Sequence, residues 1–125
     1  MTPDPTDDEA AFLAVYDADA FPRPSLAVDV ALLAIRDGAL WTVLVRRGEH
    51  PFRGACQLPG AFVRVDEPLD AAAARALEAK AGIAGAFLEQ LYTFGAVDRD
   101  PRPRVVSVAY YALVAEHALV AGPGA

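Results

Sequence analysis

The segment that most constrains this chain runs from Gly60 to Ile83. It reads as a glycine turn, a short extended piece and then one helix. Asp66 or Glu67 offers a capping carboxylate, and Pro68 suits the first helical position, where a missing N–H breaks no hydrogen bond. Asp70 adds negative charge in the first turn, where the helix dipole favours it. Ala71 to Leu77 is built of good helix formers, and Gly82 can adopt the left-handed conformation that ends a helix.

Extended segments lie on both sides of this helix. Leu26 to Ile35 is a strongly apolar strand that contains Asp29, and Asp37-Gly38 is a turn of the hairpin type. Leu40 to Val45 follows as the partner strand, ending in Arg46 and Arg47. After a loop from Gly48 to Gly54, Ala55 to Leu58 is a further short strand. Downstream of the helix, Phe87 to Phe94 and Arg104 to Val114 read as strands. In the last of these Ser107, Ala109 and Tyr111 alternate with Val106, Val108 and Tyr110. Strands around one central helix give an α/β (α+β) class with a mixed sheet. The chain has 125 residues, enough for one domain with a single core.

Charge divides the chain at its start. Residues 1–20 hold six acids and no base, whereas residues 21–125 hold eleven of each, so the net charge of −6 sits in the N-terminal segment. Residues 1–22 therefore read as an acidic arm. It carries a short helix from Ala10 to Tyr16, with Phe12, Leu13, Val15 and Tyr16 available to dock it on the body. The balanced remainder has no basic excess to attract nucleic acid by itself. No apolar run is long enough to span a membrane, and an acidic start is no secretory signal. The single cysteine, Cys56, rules out an internal disulfide and suits a reducing cytoplasm. Its place in a strand reads as a small buried residue rather than a nucleophile. His50 and His117 have no second His or Cys at ligand spacing, so neither points to zinc.

The stretch from Gly60 to Ile83 resembles the Nudix box, G-x5-E-x7-R-E-U-x-E-E-x-G-U with U aliphatic, in a degenerate form. Gly60, Glu67 (one residue late), Arg75, Leu77, Gly82 and Ile83 match. Ala76, Ala79 and Lys80 stand where the pattern has glutamates. The resemblance extends through Leu44 to Gly48, Pro51 to Gly54 and Gln57 to Arg64. It continues in Glu89 to Gly95, Asp98 to Arg102 and Arg104 to Val114. These downstream segments are similar to the branch that holds ADP-ribose pyrophosphatase-like proteins and the Nudix-related transcriptional regulators of NAD metabolism. The resemblance implies a Nudix fold over residues 23–125, a mixed sheet packed with the box helix, lacking the last strand and helix that the family usually has.

It also implies a function. In the family the box acids share one helix face and hold magnesium against a pyrophosphate. Here that face has two methyl groups and one ammonium. Glu78 is rotated about 100° around the helix from its neighbour, so it is no simple substitute. The implied reading is a sensor domain that binds ADP-ribose or a related nucleoside diphosphate derivative and is catalytically impaired, with no cofactor. The alternative is an active magnesium-dependent hydrolase whose metal site is rebuilt from Glu67, Glu78 and a loop acid such as Asp98 or Asp100. The implied partners are an ADP-ribose-like molecule and a second copy of the chain, and DNA only through a C-terminal domain absent from this chain. No membrane partner is implied.

Candidate ligand contacts follow from charge and shape. Lys80, the only lysine, is placed either to meet a phosphate or to lie solvated on the helix. Arg99 and Arg102 lie in the loop Asp98 to Arg104, where guanidinium forks suit diphosphate oxygens or pair with the local aspartates. Arg46 and Arg47 end a strand and point to opposite faces, so at most one, here taken as Arg47, meets a site. Arg64 lies in the box turn, within reach of phosphate. Phe62, Tyr92 and Phe94 offer stacking surfaces, although core packing is the commoner task for such residues.

Overall fold

The computed structural model describes residues 5–119. The expectation that the family's last strand and helix are lacking bears on the segment after Leu119, which lies outside the described residues.

The sheet is built on β1 (Ser25–Arg36). Val28, Val30, Leu32 and Ala34 are buried, while the intervening Ala27, Asp29, Ala31 and Leu33 are half-buried on the other face. That alternation is the period of the pleat. Asp37 and Gly38 take positive φ values of 51° and 74°, the backbone a tight primed turn demands. They return the chain as β2 (Ala39–Thr42), antiparallel to the end of β1. The strand expected over Leu40–Val45 breaks in two. β3 (Val45–Arg46) leaves the sheet and pairs with β4 (Cys56–Gln57) as a separate ribbon. Gly60–Phe62 forms β5, antiparallel to the first half of β1. β7 (Val105–Leu113) runs parallel to β1, and β6 (Glu89–Phe94) runs antiparallel to β7, giving the path β2-β1-β7-β6. The sheet is therefore mixed, as the sequence implied.

The box helix, α2 (Leu69–Ala81), covers one face. Ala72, Ala73, Ala76, Leu77 and Ala81 pack on Val28, Val30, Leu32, Val108, Tyr110 and Ala112. Small helix residues let the helix lie close on the sheet. Ala76, expected among the box acids' positions, is part of this buried layer. Tyr110, fully buried, donates from its hydroxyl to Asp70 at 2.8 Å and accepts from Gln90 at 3.3 Å. It ties the first turn of α2 and strand β6 to β7. The helix start differs from expectation. Pro68 is the cap residue, in extended conformation, and no side chain caps the helix. The Glu67 carboxylate is directed to Arg75 instead. At the other end Gly82 is left-handed, with φ 72°, and its N–H donates to the Glu78 carbonyl.

Three further expectations are corrected. The N-terminal helix, α1 (Pro5–Val15), is longer than Ala10–Tyr16 and does not dock, since Phe12, Leu13, Val15 and Tyr16 are all exposed. Its apolar residues run consecutively around the helix and form no one-sided stripe. Phe12 and Phe21 contact Tyr16 instead, with ring centroids 5.5 and 5.7 Å from it. Cys56 is exposed because β4 belongs to the detached ribbon rather than the sheet. Tyr92 and Phe94, two residues apart on one face of β6, are also exposed and pack edge-on against each other. Among the described residues no helix is long and apolar enough to cross a membrane.

Candidate functional site

A cleft of about 410 Å³ opens beside the face of β1 that α2 leaves uncovered. That volume falls in the range of small-molecule sites. Four parts of the chain meet there. The floor comes from Asp29 on β1, Gly60 and Phe62 on β5, and Ser107 on β7. These residues share a face because of strand register: Asp29 pairs with Gly60, and Ala27 pairs with both Phe62 and Ser107. The β3–β4 ribbon supplies Arg47, Glu49 and Gln57. Helix α2 supplies Arg75 and Lys80, and the β6–β7 loop supplies Arg99, Asp100 and Arg102.

The lining holds five cations, Arg47, Arg75, Lys80, Arg99 and Arg102, against three carboxylates, Asp29, Glu49 and Asp100. Their partners decide what each can do. Arg75 is spent internally: Nε and Nη2 bind the two Glu67 oxygens at 2.8 and 2.9 Å, and Nη2 also donates to the Phe62 carbonyl. Glu67 further accepts from the Arg64 backbone N–H. These hydrogen bonds, Arg75 foremost, hold its carboxyl down at about 2 and raise the guanidinium in turn. Arg75 thus staples the box turn to the helix. Arg102 binds Asp100 through Nε at 2.9 Å and Nη2 at 2.7 Å and lies 4.8 Å over the Phe62 ring. Asp100 is held at about 2, first by those hydrogen bonds. Arg99 donates to the Ser107 hydroxyl at 2.7 Å and to the Val105 carbonyl at 3.2 Å. Arg47 donates from Nε to the Pro51 carbonyl and from Nη1 to the Gln57 side chain at 2.9 Å. Among the described residues no side-chain hydrogen bond or ion pair engages the Lys80 ammonium.

Asp29 behaves differently from Glu67 and Asp100. Burial raises its pKa, while the nearby Arg99 charge and the Ser107 hydroxyl act to lower it.

Of the residues singled out in the sequence, the structure brings Gly60, Phe62, Arg75, Lys80, Arg47, Arg99 and Arg102 to one cleft. Arg64, Glu67, Glu78 and Gly82 do not line it. Arg64 is exposed in the turn, and Glu78 is exposed on the outer side of α2. Sequence reading missed Asp29, Glu49, Gln57 and Ser107 as lining residues. A charged residue inside an apolar strand was a usable signal for Asp29. The others are identified by strand pairing and loop path.

The residues present do not fit a magnesium ion held by the box helix. Ala76 is in the core, Lys80 stands at the cleft edge, and both Glu67 oxygens are occupied by Arg75. Among the described residues no three His, Cys, Asp or Glu side chains stand close enough to share a metal. The rebuilt arrangement of Glu67, Glu78 and a loop acid is not assembled: Glu78 faces away, Asp98 does not line the cleft, and Asp100 is bound to Arg102.

Comparisons with known proteins bear on this cleft. A sequence profile for the NUDIX domain matches residues 23–124. The chain is 40% identical over 108 residues to the ADPR responsive transcriptional repressor NtrR of Acinetobacter baylyi, covering 85% of this chain and 43% of that protein. It is 31% identical over 103 residues to an ADP-ribose pyrophosphatase of Methanocaldococcus jannaschii, covering 82% of this chain and 59% of that protein. The chain thus spans about half the length of these two relatives. Its structure superposes on the NUDIX domain of Shewanella oneidensis NrtR complexed with ADP ribose. The TM-score is 0.82 and the identity 40%, over 88% of this chain and 73% of that one.

Proposed function

This chain belongs to the Nudix family, and on that premise we propose that it binds ADP-ribose or a related nucleoside diphosphate derivative as a sensor domain, with hydrolysis impaired. One observation carries the reading. A cleft of ligand size gathers cations, and an ammonium stands where family members present a metal-binding carboxylate. The unengaged Lys80 ammonium, together with Arg47 and Arg99, which have no carboxylate partner among the described residues, neutralises a diphosphate directly, the task magnesium performs in the active relatives. The resemblance to an ADPR responsive repressor and to a domain complexed with ADP ribose supports this ligand class. Cytoplasmic location, a homodimer, and DNA contact through a region outside this chain belong to the same reading.

The likeness to an ADP-ribose pyrophosphatase supports a second reading, magnesium-dependent hydrolysis. One paired assay separates the two. ADP-ribose is expected to raise the melting temperature equally with magnesium or with EDTA, because a ligand that binds only the folded chain stabilises it. Incubation with magnesium and ADP-ribose is expected to release no AMP. AMP release at an enzyme-like rate would overturn the sensor reading. No stabilisation by ADP-ribose and no turnover would overturn both.

A further inference from the structure

The cationic cleft has an acceptor at its floor that diphosphate binding leaves unused. Asp29 sits midway along β1 on the face that opens to the cleft. Space for it is reserved by Gly60: a Cβ there would lie 2.4 Å from the Asp29 Oδ1 and 2.8 Å from the Val28 carbonyl. The neighbouring Ser107, only 4% exposed, accepts from Arg99 at 2.7 Å. Asp100, by contrast, is closed off by the Arg102 fork. Glu49 is exposed on the ribbon loop. Asp29 is therefore the half-buried lining carboxylate with no guanidinium hydrogen bond among the described residues.

A carboxylate offers lone pairs and no donor. Beside a diphosphate it repels the ligand's charge, so it adds nothing to phosphate recognition. It is complementary to an uncharged O–H or N–H group. Partners of that kind on a nucleoside diphosphate derivative are sugar hydroxyls and the exocyclic amine of a base. We propose that Asp29 is a specificity-determining residue that accepts a hydrogen bond from an uncharged donor of the ligand while the cations hold its phosphates. Omitting such a donor leaves a half-buried acceptor without that partner, the situation that lets a polar site discriminate against the analogue lacking it. This assignment rests on the diphosphate reading of the cleft.

The test is calorimetric titration of the full chain and of Asp29→Ala and Asp29→Asn with pyrophosphate, ADP, IDP and ADP-ribose, with melting temperature checked for each variant. Asp29→Ala is expected to leave pyrophosphate affinity unchanged or raised, since a repelling charge is removed. It is expected to weaken the donor-bearing nucleotide about tenfold, the usual effect of losing one hydrogen bond to a charged group. Asp29→Asn, whose amide oxygen still accepts, is expected to recover part of that loss. The pattern identifies the donor. Collapse of an ADP-ribose over ADP preference names the terminal sugar, and collapse of ADP over IDP names the base amine. An equal loss across nucleotides, but not pyrophosphate, names the nucleoside ribose. The assignment is overturned if Asp29→Ala weakens pyrophosphate as much as the nucleotides, the mark of a merely structural residue. It is equally overturned if no affinity changes. If no probe binds the unaltered chain, the diphosphate reading itself fails and the Asp29 role falls with it.

Discussion

Replacing Tyr110 by Phe removes the hydroxyl that ties the first turn of the box helix to β7. The ring is wholly buried between α2 and the sheet, and Phe keeps its shape, so the apolar contribution is retained. The hydroxyl is lost, and with it the 2.8 Å bond to the Asp70 carboxylate and the weaker 3.3 Å bond from Gln90. A hydrogen bond to a charged group contributes about 1.5–3 kcal/mol when its loss strands a buried partner. Here Asp70 and Gln90 are both exposed, so water replaces the hydroxyl for each. The expected loss is therefore about 1 kcal/mol, or roughly 3–6 °C in Tm for a domain of this size. Urea unfolding measures it, with an unchanged m value as the check that both end states are preserved. A double-mutant cycle with Asp70→Ala should return most of that energy as coupling. Burial, then the Asp70 bond, raise the Tyr110 pKa above the usual 10. The unfolded chain therefore loses this proton first, so stability falls as pH rises above about 10. Tyr110→Phe should lose that alkaline component. Stability within about 0.3 kcal/mol of the unaltered chain, with no coupling to Asp70, would refute the tie and the account of how α2 is positioned.

Gly60→Ala is expected to destabilise the fold by about 1–3 kcal/mol, read by urea unfolding, because the added Cβ meets the Asp29 carboxylate and the Val28 backbone at once. Glu67 is expected to titrate near 2 in an NMR pH series, and to return to the ordinary carboxylate range, around 4.3, in Arg75→Ala. Because its folded value is depressed, the stability this pair contributes is present above about 4.5. It is lost as pH falls through about 2, and acid unfolding should flatten in that window in the variant.

The helix, the strands and the class of the sheet are legible from local pattern. Val28 to Ala34 alternates as a half-buried strand must, Asp37-Gly38 accepts the two positive φ values of its turn, and Gly82 ends the helix. Much of the cationic lining was also legible, because arginines in a loop and one lysine on the box helix are groups suited to phosphate oxygens. What those residues touch was not. Arg75 turns inward to Glu67 and Arg102 to Asp100, although their sequence context resembles that of Arg47, Arg99 and Lys80, which have no carboxylate partner among the described residues. The exposed α1 and Cys56 escaped for a related reason: apolar composition does not say whether a surface exists to receive it.

Chemistry and spacing along the chain determined the Nudix assignment, the elements and the loss of the box acids. Only the tertiary structure decided that Asp29, Gly60 and Ser107 share one floor, since that depends on the register of β1 with β5 and β7. Spacing fixes which face of its own strand a side chain occupies. It does not fix which distant strand lies beside it, and a site made by pairing remote segments exists only once the sheet has formed.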